Sequence, residues 1–255
     1  MTDNKERIAK VMARAGVCSR REAEALIAER RVTVNGQTVT QPGTKVGIGD
    51  EIALDGERIR SADEPMLWRV HKRPGLMVSH KDPEGRPTIF ETLPDHLPRV
   101  VSVGRLDYNT EGLLLLTNDG ELARLLELPS TGWTRRYRVR AHGVTSQDRL
   151  DDLAGGVTVD GVRYGPIEAN LDRVQGHNVW LTIGIKEGKN REVRRVLEAQ
   201  GLTVNRLIRM AYGPFQLGRL KPGEVEQVPG RVLKDQLGVK KGETLSDAIK
   251  ARLRR

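Results

Sequence analysis

Two apolar runs in the middle of the chain, Val100-Val101-Ser102-Val103-Gly104-Arg105-Leu106 and Gly112-Leu113-Leu114-Leu115-Leu116-Thr117, are separated by only five residues. Runs this short, bounded by turn residues, read as buried strands. Asp107-Tyr108-Asn109-Thr110-Glu111 is then a loop between two rigid elements, and it presents a carboxylate at Asp107. Further strand-like segments lie at 67–72, 136–142, 156–159 and 178–185, with helical patterns at 119–127, 146–153 and 190–200. Strands with a few interspersed helices point to an α+β fold with a mixed, mostly antiparallel sheet.

The first 60 residues have a different pattern. Ile8, Val11, Met12 and Ala15 follow helical spacing, and Gly16 stands where a helix would be capped. Ser19-Arg20-Arg21-Glu22 has the form of a capping box ahead of Ala23, Leu26 and Ile27, so a second helix starts almost at once. Val32 and Val34, an Asn35-Gly36 turn and the run 50–56 supply a small sheet. The expected organisation is a helix-pair module at 1–60, a linker at 61–66, a larger domain at 67–230, and a flexible basic tail at 231–255 that captures polyanions electrostatically.

The chain carries 43 Lys and Arg against 34 Asp and Glu, a net charge of +9. Such an excess favours a polyanionic partner, nucleic acid above all. The charge is unevenly placed: residues 5–31 hold eight basic side chains against four Glu, residues 186–221 nine against three, and residues 231–255 eight against three acids. With 4% aromatic residues there are few rings for base stacking, so RNA would be gripped by charge and shape. The single cysteine, Cys18, excludes an internal disulfide and a thiolate metal cluster. The longest apolar run is too short for a membrane helix, and MTDNKERIAK has no signal-peptide core, so a cytoplasmic protein acting away from membranes is expected.

Helix, G-x-C-S-R-R-E-A, helix, R-x-T-V-N-G over residues 5 to about 56 resembles the S4 RNA-binding domain. That resemblance implies that the helix pair docks on structured RNA, with Lys10, Arg14, Arg20, Arg21, Arg30 and Arg31 around the helix junction as its contacts.

Asp107 admits three readings. It could bond its own backbone as a turn residue. It could open a calcium loop of the form D-x-N-x-E-G, but the twelfth position is Asn118 and four leucines occupy the segment that should supply ligands. Or it could be a nucleophile that forms a covalent adduct with a sugar or a base. The string G-R-L-D-Y-N-T-E-G-L-L-L-L-T-N-D-G-E-L, residues 104–122, resembles the signature of pseudouridine synthases of the RsuA/RluB/RluE/RluF type. The resemblance implies that Asp107 is the catalytic nucleophile in the isomerisation of a uridine.

Two other segments extend the likeness. In Arg135-Arg136-Tyr137-Arg138-Val139-Arg140 the alternation sets Tyr137 and Val139 on one side of a strand and the arginines on the other. The resemblance implies that Tyr137 stacks on the extruded base and takes part in proton transfer at C5. In Lys186-Glu187-Gly188-Lys189-Asn190-Arg191-Glu192-Val193-Arg194-Arg195, a helical wheel puts Arg194 at the edge of the apolar face, with Arg191 and Arg195 pointing away. Arg194, which matches the family's active-site basic residue, is therefore expected to pair with Asp107. Arg191, Arg195, Arg206 and Arg209 read as phosphate contacts.

By the same resemblance Leu220 lines the uracil pocket. The chain departs from the family's K-P-x-G motif, with Lys72-Arg73-Pro74-Gly75 in its place. A stacked uracil exposes neither N1 nor C5, so the nucleotide must be extruded, and Arg105 is the candidate to fill its space or grip the adjoining phosphate. The isomerisation conserves composition and needs no metal or cofactor. Within the family the 186–195 segment and V-N-R-L-I-R-M-A-Y-G most resemble the enzymes acting on large-subunit (23S) ribosomal RNA, type B. Small-subunit ribosomal RNA is the alternative target, and a non-catalytic RNA-binding or ribosome-assembly protein the alternative class. A monomer is expected.

Overall fold

A computed structural model describes residues 5–254. The N-terminal module opens with β1 (Glu6–Arg7), followed by α1 (Ile8–Arg14) and α2 (Arg20–Ala28). Gly16 takes a positive φ of 77° to end the first helix, and Ser19 and Glu22 cap the second reciprocally: Ser19 Oγ accepts from the Glu22 N–H at 3.1 Å while Glu22 Oε2 accepts from the Ser19 N–H at 2.7 Å. Next come β2 (Val32–Val34), β3 (Gln37–Thr38), β4 (Lys45–Val46), β5 (Ile52–Leu54) and β6 (Glu57–Arg58). β3-β2-β5-β6 form an antiparallel sheet and β1 pairs with β4. Ile8, Met12, Ala23, Ile27, Val32 and Ile52 close a small core between helices and sheet.

The larger domain is built on nine strands: β7 (Leu67–Lys72), β8 (Val101–Val103), β9 (Glu111–Thr117), β10 (Arg135–His142), β13 (Ile167–Gln175), β14 (Asn178–Ile185), β15 (Thr203–Tyr212), β16 (Phe215–Gln216) and β17 (Val225–Gln227). A separate hairpin joins β11 (Val157–Val159) to β12 (Val162–Tyr164). The main order is β13-β14-β10-β15-β9-β7-β17, with β8 on β9 and β16 on β15. Every pairing is antiparallel except β15 with β9. The architecture is thus the α+β arrangement expected.

The leucine run of β9 serves two cores at once, because strand side chains alternate faces. Leu114 and Leu116 join Tyr137, Val139, Leu181 and Leu207 on one face, under α4 (Gln147–Asp151) and α5 (Glu192–Ala199). Leu113 and Leu115 join Leu67 on the other, under α3 (Gly120–Glu127), α6 (Gly230–Gln236) and α7 (Leu245–Leu253).

Several expectations need correction. Residues 231–254 are not a flexible tail: α6 and α7 bury Leu233, Leu237, Leu245 and Ile249 against the second core. β13 and β15, among the longest strands, do not stand out in the hydrophobic pattern, because their outward positions carry Arg, Asn, Glu and Thr and register shifts interrupt the pairing. Strand β10 does alternate, but Arg135 falls on the Tyr137 side rather than opposite it and is buried.

Candidate active site

The loop between β8 and β9 begins at Gly104 and closes where the Thr110 N–H donates to the Asp107 carbonyl at 3.0 Å. Beneath it, at the end of β7, lies a fully buried lysine. Lys72 Nζ is 2.9–3.2 Å from the carbonyl oxygens of Arg73, Asp107, Tyr108 and Thr110, so one ammonium gathers the loop's backbone acceptors. Burial pushes Lys72 down to about 8, against the opposing charges of Asp107 and Glu111. The Gly75 N–H adds a bond to the Tyr108 carbonyl at 2.9 Å, so the Lys72–Gly75 segment holds the loop from below despite its departure from K-P-x-G.

Gly112 fixes the loop's far end. It lies at φ +99° where β9 meets β15 in the one parallel pairing, and a Cβ there would run into the backbone of Arg209. A glycine alone lets the two backbones approach this closely.

Asp107 opens into a cleft of about 960 Å³ whose walls include Tyr137, Ile185, Val193, Leu207 and Arg209. The Asp107 side chain is 32% exposed and Tyr137 is 9% exposed, so a carboxylate stands in the wall and a phenol ring on the floor. Arg105 is exposed on the rim beside Asp107. Four buried side-chain atoms without a hydrogen-bond partner, Thr110 Oγ1, Glu192 Oε1, Arg194 Nε and Arg209 Nη2, belong to residues of this loop, of α5 and of β15. Unsatisfied polar groups are costly, and four of the five such atoms among the described residues gather on these three elements.

The arginines are arranged differently from the expectation. The cation within ion-pair range of Asp107 is Arg191, whose Nη1 is 3.9 Å from Oδ2. Arg194 is buried and donates from Nη1 to the Val204 carbonyl at 3.0 Å; Asp107 acts on it only through its charge. Burial pushes the Arg194 guanidinium down, Arg191 adds to this, and Asp107 opposes it. The helical wheel misplaced Arg191 because α5 starts one residue later: Arg191 is its N-cap, with a left-handed φ of 50° that removes it from helical register. Arg195 is exposed on α5, as expected.

Arg209 is no surface phosphate contact. It is 3% exposed, donates from Nε to the Leu113 carbonyl at 2.7 Å, and lies over one side of Tyr212, which Arg135 also covers. Arg206 is exposed but forked onto Glu111 at 2.8 and 2.9 Å. Leu220 packs in the second core, on the opposite face of the sheet from Tyr137, and is absent from the cleft wall. The leucines in the wall are Leu106, beside Asp107, and Leu207, directly across from Val139 in register.

Two further residues escaped the sequence reading. Lys72 falls on an inward position of β7, and a lysine there was the available signal. Glu192 is 3% exposed; burial pushes it up to about 7, while the Lys189 N–H at 2.9 Å opposes this. Nothing in the sequence distinguishes it from an ordinary first-turn glutamate.

On the N-terminal module Arg20, Arg21 and Arg30 are exposed. Arg31 is exposed too, yet forked onto Asp55 at 2.9 and 2.6 Å. Lys10 and Arg14 do not project freely as the expectation required. Both are partly buried on Glu6, and Lys10 also reaches Glu121 of α3 at 2.5 Å, because the helix faces the larger domain there.

Comparison with known proteins agrees with this geometry. Residues 67–199, more than half of the chain, match the family model described as RNA pseudouridylate synthase. The chain belongs to the RNA pseudouridine synthases. Residues 6–52 match the S4 domain. An RNA pseudouridine synthase of Rickettsia typhi is 45% identical over 89% of this chain and 93% of its own length. The ribosomal large subunit pseudouridine synthase B of Pseudomonas aeruginosa is 42% identical over 92% of this chain and 63% of its own length. A crystal structure of a pseudouridylate synthase superposes with a TM-score of 0.62 at 27% identity, covering 90% of this synthase and 99% of that chain.

Proposed function

We propose that this synthase isomerises a uridine of large-subunit ribosomal RNA to pseudouridine, with Asp107 as the nucleophile. The carrying observation is the placement of Asp107: a carboxylate in the cleft wall, on a loop whose carbonyls are gathered by the buried Lys72, above a floor that includes Tyr137. Support for the ribosomal target comes from the likeness to large-subunit synthase B enzymes.

In the reaction the C1′–N1 bond breaks and a C1′–C5 bond forms; the proton on C5 leaves and N1 gains one, so the composition is unchanged. Preorganisation of the loop keeps the carboxylate at the reacting atoms, and Arg191 and Arg194 supply positive charge beside it. Tyr137 stacks on the extruded uracil and its hydroxyl is the nearby group suited to take the C5 proton. Arg105 fills the gap left in the RNA or holds the neighbouring phosphate, while Arg20, Arg21 and Arg30 engage phosphates at a distance.

Tritium release from C5-tritiated ribosomal RNA tests the reading. Wild-type protein is expected to release tritium from large-subunit transcripts and not from small-subunit ones. Asp107→Asn is expected to bind RNA with nearly unchanged affinity and release none. Turnover by that variant removes Asp107 from the mechanism, and release from the small-subunit RNA alone reassigns the target.

A further inference from the structure

The sheet has a bare face. α3, α6 and α7 cover β7, β8 and β9, and their core reaches β15 at Ile208 and Met210. Beyond that strand, the outer side of β10, β14 and β13 is open: Arg136, Arg138, Arg140 and His142 are exposed in alternation along β10. These residues lie behind Tyr137, on the opposite side of the strand from the cleft.

Strand register sets basic groups across this face at one level. Arg140 is directly opposite Arg206 on β15 and opposite Trp180 on β14, and Trp180 is in turn opposite Arg173 on β13. The Arg138 guanidinium lies 4.8 Å from the centre of the Trp180 ring. Neighbouring strands are about 4.8 Å apart, so three guanidiniums and an indole span about 14 Å, with a fourth stacked on the ring.

Some of this charge is already neutralised. Arg136 lies 3.6 Å from Glu168, Arg206 is forked onto Glu111, and Asp172 accepts from the Thr182 hydroxyl. Arg138, Arg140 and Arg173 have no carboxylate partner among the described residues. A sheet face that holds exposed, unneutralised arginines around a half-buried tryptophan suits a phosphate backbone with an adjoining base or sugar. Glu111, the anchor of Arg206, ends the Asp107 loop, so the basic row begins next to the site.

We propose that this open face, through Arg138, Arg140, Arg173 and Trp180, is a second RNA-binding surface. It takes a segment of the substrate RNA flanking the target nucleotide, which passes from the cleft to the back of the sheet beside the first half of β15, ahead of the point where β9 begins to pair with it at Glu111. This rests on the reading of the protein as an enzyme acting on a large structured RNA. A short stem-loop confined to the cleft would not reach it.

The test compares wild type, the pair Arg140→Gln/Arg173→Gln and the triple variant with Arg138→Gln. The probe is a large-subunit ribosomal RNA fragment long enough to flank the target on both sides. The pair leaves the Arg138–Trp180 stack in place and guards against a packing artefact in the triple. Each lost phosphate contact lowers the slope of log affinity against log salt by about 0.7 to 0.9, so the pair should flatten it by about 1.5 and the triple by about 2 to 3. The loss in turnover should fall on KM rather than kcat. Tryptophan emission from wild type should change on RNA addition, and that change should be smaller in Trp180→Phe, which keeps Trp68 and Trp133. An unchanged salt slope in both variants, or an RNA-induced emission change of the same size in Trp180→Phe, overturns the proposal and leaves the face to solvent or a protein. If wild type binds the fragment without releasing tritium while the variants lose slope, the surface stands and the catalytic reading fails.

Discussion

Lys72 shows how a single side chain can organise a loop, here the one that carries the proposed nucleophile Asp107. Its ammonium lies among four carbonyl oxygens, three of them from the Asp107 loop. Lys72→Met would take this donor from all four, and although the Asp107 and Tyr108 carbonyls keep the N–H groups of Thr110 and Gly75, each carbonyl left buried and unpaired would cost about 1–3 kcal/mol. The expected result is a lower melting temperature together with a fall in kcat larger than any rise in KM. A pH effect follows from the same site. Burial holds Lys72 near 8 in the folded chain against an ordinary 10.5, so the folded state releases its proton first. For this group, rising pH between those values relieves a cost of folding, yet the deprotonated amine has one donor fewer for the loop. Turnover should therefore decline as pH rises through about 8 without a matching loss of melting temperature. Parallel pH–rate profiles and thermal melts check this, and coincident losses would point to unfolding instead. Asp107 and Tyr137 were legible because a long motif and a strict alternation surround them. Lys72 was not, since the carbonyls it binds come together only after the β8–β9 connection has folded over β7.

Among the elements, those with local signals came through the sequence clearly. The capping box of α2 forms as written, and Ser19→Ala should cost about 1 kcal/mol in a urea titration. Strands β7, β9, β10 and β14 lie where the apolar runs placed them. β15 was obscured by Asn205, Arg206 and Arg209, one of which points inward, and with it went the parallel crossing that makes Gly112 necessary. The C-terminal segment was misread because its charge is conspicuous and its apolar positions are spread over two short helices. Those positions matter more than the charge. Truncation after Pro229 would strip Leu233, Leu237, Leu245 and Ile249 from a core that includes Leu67, Leu113 and Leu115. At about 1.5–3 kcal/mol per buried side chain the truncated chain should lose several kcal/mol and aggregate. A shortened protein that melts like wild type but captures RNA more slowly at low salt would restore the tail reading.

At the scale of the whole molecule, the S4 module and the catalytic domain meet through charge. Lys10 bridges Glu6 of the module and Glu121 of α3, Arg14 adds a second bond to Glu6, and the Met66 N–H donates to Asn118 Oδ1 at the end of the linker. Sequence alone assigned Lys10 and Arg14 to RNA because it shows a helix face but not the acidic helix terminus packed beside it. Burial raises Glu6, and the hydrogen bonds and charges of Arg14 and Lys10 outweigh it, leaving the carboxyl at about 2 instead of 4.5. A carboxyl depressed on folding stabilises the folded state fully above its unfolded value, and the contribution is lost as pH falls toward the folded value. A shift of this size corresponds to a contribution on the order of 3 kcal/mol. The decline in wild-type stability between pH 4.5 and 2 should thus be steeper than that of Glu6→Gln by about this amount. Equal slopes in denaturant titrations of the two proteins would mean that the Glu6 pairs with Lys10 and Arg14 add nothing to the stability of the S4 module.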